Sequence, residues 1–172
     1  MRGSAPRSRV AHALVALTVA LLSPLVPAGA QRVGPQPVDR WRPSLRLDAL
    51  LDGAPGAQVG VGVATPVDYN VRLAVEVGVG AVHRVDGSAA AGRLDLTVRW
   101  LSDPFRQTRW AIHAGGGIGE RFEARRGPRT VAIVSLGLEG PSDGAWVPGV
   151  EVGLGGGARA GVTLRRAPRR QR

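Results

Sequence analysis

Eight segments of alternating apolar and polar residues between Ser44 and Arg166 predict an all-β protein, an eight-stranded antiparallel up-and-down β-barrel. Two further observations refine that expectation. The second face of the strands is small and glycine-rich, with single arginines and acids placed mid-strand, and the aromatic residues gather at strand ends of one sense.

The elements follow in chain order. Arg2, Arg7 and Arg9, an apolar run from Ala11 to Val26, and the small residues Ala28, Gly29 and Ala30 form a secretory signal peptide over residues 1–30. Ser23, Pro24 and Pro27 interrupt that run short of the roughly 20 residues a spanning helix needs. Residues 31–43, with Pro35, Pro37 and Pro43, read as a flexible leader. Strands are expected at Ser44 to Leu51, Gln58 to Ala64, Val71 to Gly80, Arg93 to Trp100, Trp110 to Ile118, Thr130 to Glu139, Trp146 to Leu154 and Ala160 to Arg165. In the third, Val71, Leu73, Val75, Val77 and Val79 alternate with Arg72, Ala74, Glu76, Gly78 and Gly80. Turn-forming stretches separate them, and those of one end, Asp52 to Gly56, His83 to Gly92, Phe122 to Arg129 and Gly155 to Arg159, are the expected extracellular loops. Residues 167–172 form a basic C-terminal tail.

Composition narrows the function. The formal net charge is +10 and all of the basic side chains are arginine; cleavage of the signal takes three of them and leaves +7. Export argues against a nucleic-acid partner, whereas anionic head groups, sugars and surface polyanions are compatible with exposed arginines. The chain has no cysteine, so neither a disulfide framework nor a lipid-attachment site is available. No cofactor or metal is expected. The histidines of the mature chain, His83 and His113, fall at opposite ends of the strands. A Ser135, His113 and Glu139 triad would need a convergence that nothing in the sequence supplies. Gly153 to Ala158 matches a dinucleotide fingerprint only formally, because no helix follows it.

In a soluble barrel the apolar face would point inward; in a transmembrane barrel it points out. A lumen of eight strands is just wide enough to be filled by side chains, so glycine beside a long charged residue is a workable packing scheme. Arg72, Arg93, Arg99 and His113 are therefore expected to share the lumen with Glu76, Asp95, Glu139 and Glu151 as a structural polar network. Trp41, Tyr69, Trp100, Phe105, Trp110 and Trp146 fall at one rim, as a membrane-interface girdle on the side of the chain ends would, while Phe122 falls at the other.

In pattern, length and signal peptide, the chain resembles the superfamily of small, eight-stranded outer-membrane β-barrel proteins, over roughly residues 44–166. That resemblance implies a cell-outer-membrane location, outer-membrane lipids and the barrel-assembly machinery as partners, and a monomer. The expected function is a non-enzymatic structural or surface component with a filled, non-conducting lumen. The alternatives are a soluble exported β-barrel that binds a small apolar ligand, with Val71, Leu73, Val75, Leu94, Leu96 and Ile112 facing inward, and a lipid-modifying barrel enzyme.

Overall fold

The structure is a computed structural model and describes residues 41–51, 53–104, 107–124, 126–141 and 144–167. The signal peptide, most of the leader, Phe105 and the tail beyond Ala167 lie outside the described residues. Every element among the described residues is a strand: β1 (Arg42–Leu51), β2 (Pro55–Pro66), β3 (Val71–Arg84), β4 (Gly87–Leu101), β5 (Ala111–Glu123), β6 (Arg126–Glu139), β7 (Trp146–Leu154) and β8 (Ala158–Arg166). Each pairs antiparallel with its sequence neighbour. Pairing of β1 with β8, from Ser44 against Arg165 to Leu51 against Ala158, closes the barrel. Closure leaves the sheet without an edge strand, which is the condition for a sheet to cross hydrocarbon.

The strands are longer than the turn signals imply. The first begins at Arg42 and so takes in Arg42 and Pro43, the end of the expected leader. Ser88 to Gly92, expected as loop, continue the ladder opposite Val79 to His83, and Arg84 pairs with Gly87 so that only Val85 and Asp86 make the turn. Small residues are weak strand formers alone, but a long apolar partner holds them in register. Gly87, at φ 114°, supplies the backbone conformation that this tight reversal needs. The expected loop Phe122 to Arg129 likewise shrinks to the residues between Glu123 and Arg126, with a register shift beside Arg121 and Glu123. Asp52 to Gly56 and Gly155 to Arg159 contract to the residues between Leu51 and Pro55 and between Leu154 and Ala158.

The two faces of the sheet are inverted relative to a soluble barrel. Val75, Val77, Leu94, Leu96 and Ile112 project outward and are exposed, as are Leu47, Val61, Val134, Val152 and Val162 on other strands. This overturns the inward placement that the soluble ligand-binding alternative required. The interior holds Arg46, Asp48, Glu76, Arg93, Asp95 and Glu151, all buried. Glycines make room for them. A Cβ on Gly78 would sit 2.7 Å from Nε of Arg93, and one on Gly62 would sit 2.8 Å from Cγ of Glu76; a Cβ on Gly161 would run into the Asp48 carboxylate. The glycine-rich face is thus the space into which guanidinium and carboxylate groups fold, as the packing scheme expected from the sequence requires.

Candidate functional site

The lumen contains a continuous chain of ion pairs that crosses between strands far apart in sequence. At its centre Arg46 of β1 donates from Nε and Nη2 to Asp48 at 2.9 and 2.8 Å, from Nη1 to Glu76 of β3 at 2.8 Å, and from Nη2 to Glu151 of β7 at 3.0 Å. Arg99 of β4 joins the same two glutamates, with Nη2 at 2.7 Å from Glu76 and 3.1 Å from Glu151. Arg93 donates to Asp48 at 2.6 Å. Arg159 of β8 bridges Asp95 and Glu151 at 2.8 and 2.9 Å, and Arg121 of β5 also donates to Asp95. Six strands, β1, β3, β4, β5, β7 and β8, are thereby tied across the interior.

A second, smaller cluster lies nearer the rim of the chain ends. Glu139 of β6 accepts from Arg72 of β3 at 2.8 Å and from Arg165 of β8 at 2.7 Å. A third sits at the opposite rim, where Arg84 of β3 donates to both oxygens of Glu123 of β5, at 2.5 and 2.7 Å.

Each carboxylate of the central network is buried, and each is met by more than one guanidinium. This matters energetically because a buried charge is tolerated only when paired and hydrogen-bonded, and removing one partner strands the other. Planar guanidinium groups, with donors fixed in a fork, suit such shared bridges better than an ammonium would. An all-arginine, lysine-free composition fits that use.

Of the residues singled out from sequence, Arg72, Glu76, Arg93, Asp95, Arg99, Glu139 and Glu151 all enter these pairs. His113 is buried in the lumen, its ring packed over Gly137, but its Nδ1 makes no hydrogen bond among the described residues. Ser135 Oγ makes none either, and Glu139 is held by arginines, so the three do not form a nucleophilic triad. His83 lies beside the β3–β4 turn, within 3.1 Å of Ser88 Oγ, at the end of the barrel away from His113. The sequence reading missed Arg46, Asp48, Arg84, Arg121, Glu123, Arg159 and Arg165. The signal was present for Arg46 and Asp48, which alternate with Leu45 and Leu47, and for Arg165, which follows Leu164 at the end of the last expected strand.

Trp41, Tyr69, Trp100, Trp110 and Trp146 are exposed and stand at the rim where β1 and β8 place the chain ends; Phe122 is exposed at the other. Among the described residues no group of His, Asp and Glu is arranged to hold a metal ion.

No protein-family model matches the sequence, and no curated protein is similar to it in sequence. Solved structures are similar in fold. The N-terminal β-barrel domain of Pseudomonas aeruginosa OprF superposes with a TM-score of 0.55 at 13% identity, over 73% of this chain and 96% of that one. Ail, the attachment invasion locus protein of Yersinia pestis, matches with a TM-score of 0.37 at 10% identity, over 73% and 93% of the two chains. OmpT, an outer membrane protein of Vibrio cholerae studied as a loop-deletion mutant, matches with a TM-score of 0.30 at 12% identity, over 66% of this chain and 39% of that one. A charged, side-chain-filled interior, an apolar exterior and the superposition on the OprF barrel together make this chain, by fold, a small eight-stranded β-barrel of the outer-membrane type.

Proposed function

We propose that the protein is a non-enzymatic structural or surface component of the outer membrane, a monomeric barrel whose lumen is a solid ion-paired core and not a pore. The observation that carries this reading is the contrast between faces: outward valines, leucines or isoleucines on every strand, inward arginines and carboxylates joined to one another. An apolar exterior of this extent is unsuited to water and suited to lipid. The exposed aromatic residues at the rim of the chain ends serve as an interfacial girdle, with that rim in the periplasm. Export by a cleaved signal and insertion by the barrel-assembly machinery belong to the same reading.

The test is fractionation of the mature protein followed by a gel run with and without boiling in detergent. A heat-modifiable band in the outer-membrane fraction is the expected result; a soluble periplasmic band without a shift overturns the reading. In planar bilayers the purified barrel is expected to conduct little, because the network from Arg121 to Glu76 spans the lumen. A large, stable conductance would remove the filled-core part of the proposal while leaving its location intact.

A further inference from the structure

The rim opposite the chain ends is stepped. The β5–β6 hairpin runs on to Glu123 and Arg126, whereas the β7–β8 hairpin turns back between Leu154 and Ala158. Pairing of β6 with β7 starts only at Val134, so the preceding part of β6 stands above the end of its neighbour. Gly156 and Gly157, at φ 80° and 140°, make the low turn, and two arginines reach across the step to it: Arg121 Nε donates to the Gly155 carbonyl at 3.0 Å and Arg129 Nη2 to the Gly156 carbonyl at 3.2 Å.

A cavity of about 210 Å³ opens on the lumen side of this turn, and Arg93, Arg121, Arg126, Arg129 and Arg159 line it. The carboxylate among its lining residues is Glu123, already held through both oxygens by Nε and Nη2 of Arg84. Beneath it, Asp95 is shared by Arg121 and Arg159, with Arg93 at 3.8 Å. Cationic charge therefore exceeds anionic charge on the cavity wall. Arg93, almost fully buried, keeps Nη1 without a hydrogen-bond partner among the described residues, and the Arg126 side chain is 59% exposed at the mouth. On the outer side of the same turn lies an apolar groove of about 680 Å³, floored by Ala49, Ala158 and Ala160 and walled by Leu51, Val134 and Leu154. Ala158 and Arg159 border both cavities.

We propose that this rim binds a phosphate-bearing lipid of net negative charge, its headgroup among Arg121, Arg126 and Arg129 and one acyl chain in the alanine-floored groove. The proposal rests on the membrane-barrel reading above. Guanidinium forks match phosphate oxygens, and a net positive wall draws an anion where a balanced one would not. The adjoining groove is what selects a lipid over a free oxyanion: it lies on the membrane-facing surface, directly below the step, and its small side chains leave depth for methylene groups.

The test uses the full-length mature barrel in a neutral maltoside micelle, with a heat-modifiable gel shift run on the same preparation. Dioctanoyl phosphatidic acid, dioctanoyl phosphatidylcholine and inorganic phosphate are titrated in turn, with stoichiometry read by native mass spectrometry. Phosphatidic acid is expected to saturate at one per barrel, about tenfold more tightly than either of the others. The double substitution Arg126→Ala with Arg129→Ala is expected to weaken it about tenfold, and Ala160→Phe, which fills the groove from outside, to weaken phosphatidic acid without changing inorganic phosphate. Equal binding of inorganic phosphate, with Ala160→Phe silent, overturns the lipid in favour of a free oxyanion. No saturable binding by a barrel that still shifts on heating overturns the site, while loss of the shift in the unsubstituted protein counts against the barrel reading instead.

Discussion

The middle of the lumen and the rim opposite the chain ends are built from the same pair, arginine against carboxylate, yet the two regions use it differently. In the middle, Asp48 and Asp95 have no accessible side-chain surface and each is reached by two or three guanidiniums from different strands. At the rim, Glu123 and Arg84 retain some exposure and Arg126 extends into solvent. Burial decides what each can do. A sealed pair must be complete, because water cannot replace a missing partner, and so it fixes strand positions; an open one can exchange partners and so can receive a ligand.

The largest effect should come from breaking the sealed region. Asp48→Ala leaves Arg46 and Arg93 facing the same emptied space, and a loss of about 3–5 kcal/mol is expected, the range for removing one side of a buried pair. Urea titration in detergent, read from the ratio of folded to unfolded bands on unboiled gels, measures it. A midpoint that does not move would show that the central network is ornamental and that the contrast between the two regions is false.

An intermediate effect should come from placing the same charge on the wrong face. Val77 projects outward near the middle of β3, opposite Leu94, and is exposed. Val77→Arg is expected to destabilise the barrel in lipid vesicles by about 2–4 kcal/mol, since the midplane of a bilayer offers the guanidinium no partner. A water-exposed valine would tolerate the same change within about 0.5 kcal/mol. The result therefore separates a lipid-facing surface from a solvent-facing one, and with it the reason that arginine is welcome only inside.

Much of this division was legible in the alternation itself. Because side chains on a strand point to opposite faces in turn, Val71 to Val79 assigned one parity to the exterior, and Arg72 and Glu76 followed to the other without any knowledge of their partners. Partner choice was not legible. Arg46 meets Glu151 across the closed barrel, at a separation of 105 residues, and only closure of β1 on β8 brings β7 within reach of that strand. Arg159 and Arg121 were hidden for another reason: they lie just outside the expected strands, which began at Ala160 and ended at Ile118, although the backbone stays paired through both. The step in the rim was likewise out of reach, because it depends on how far β6 overruns β7, a difference in register and not in residue type.

The smallest effect should come from the rim pair. Arg84 and Glu123 form a two-pronged contact, the geometry in which a surface ion pair contributes most, but partial exposure brings screening by solvent and salt. Arg84→Ala is expected to cost about 0.2–1 kcal/mol, and the coupling between Arg84→Ala and Glu123→Ala in a double-mutant cycle should fall when the ionic strength is raised to about 1 M, where screening reaches only about 3 Å. The penalty of Asp48→Ala should persist in the same salt, because ions do not enter the sealed middle. If the rim coupling proved as large and as insensitive to salt as the central penalty, the rim would be closed in solution, and its arginines would be part of the core instead of a surface that meets ligands.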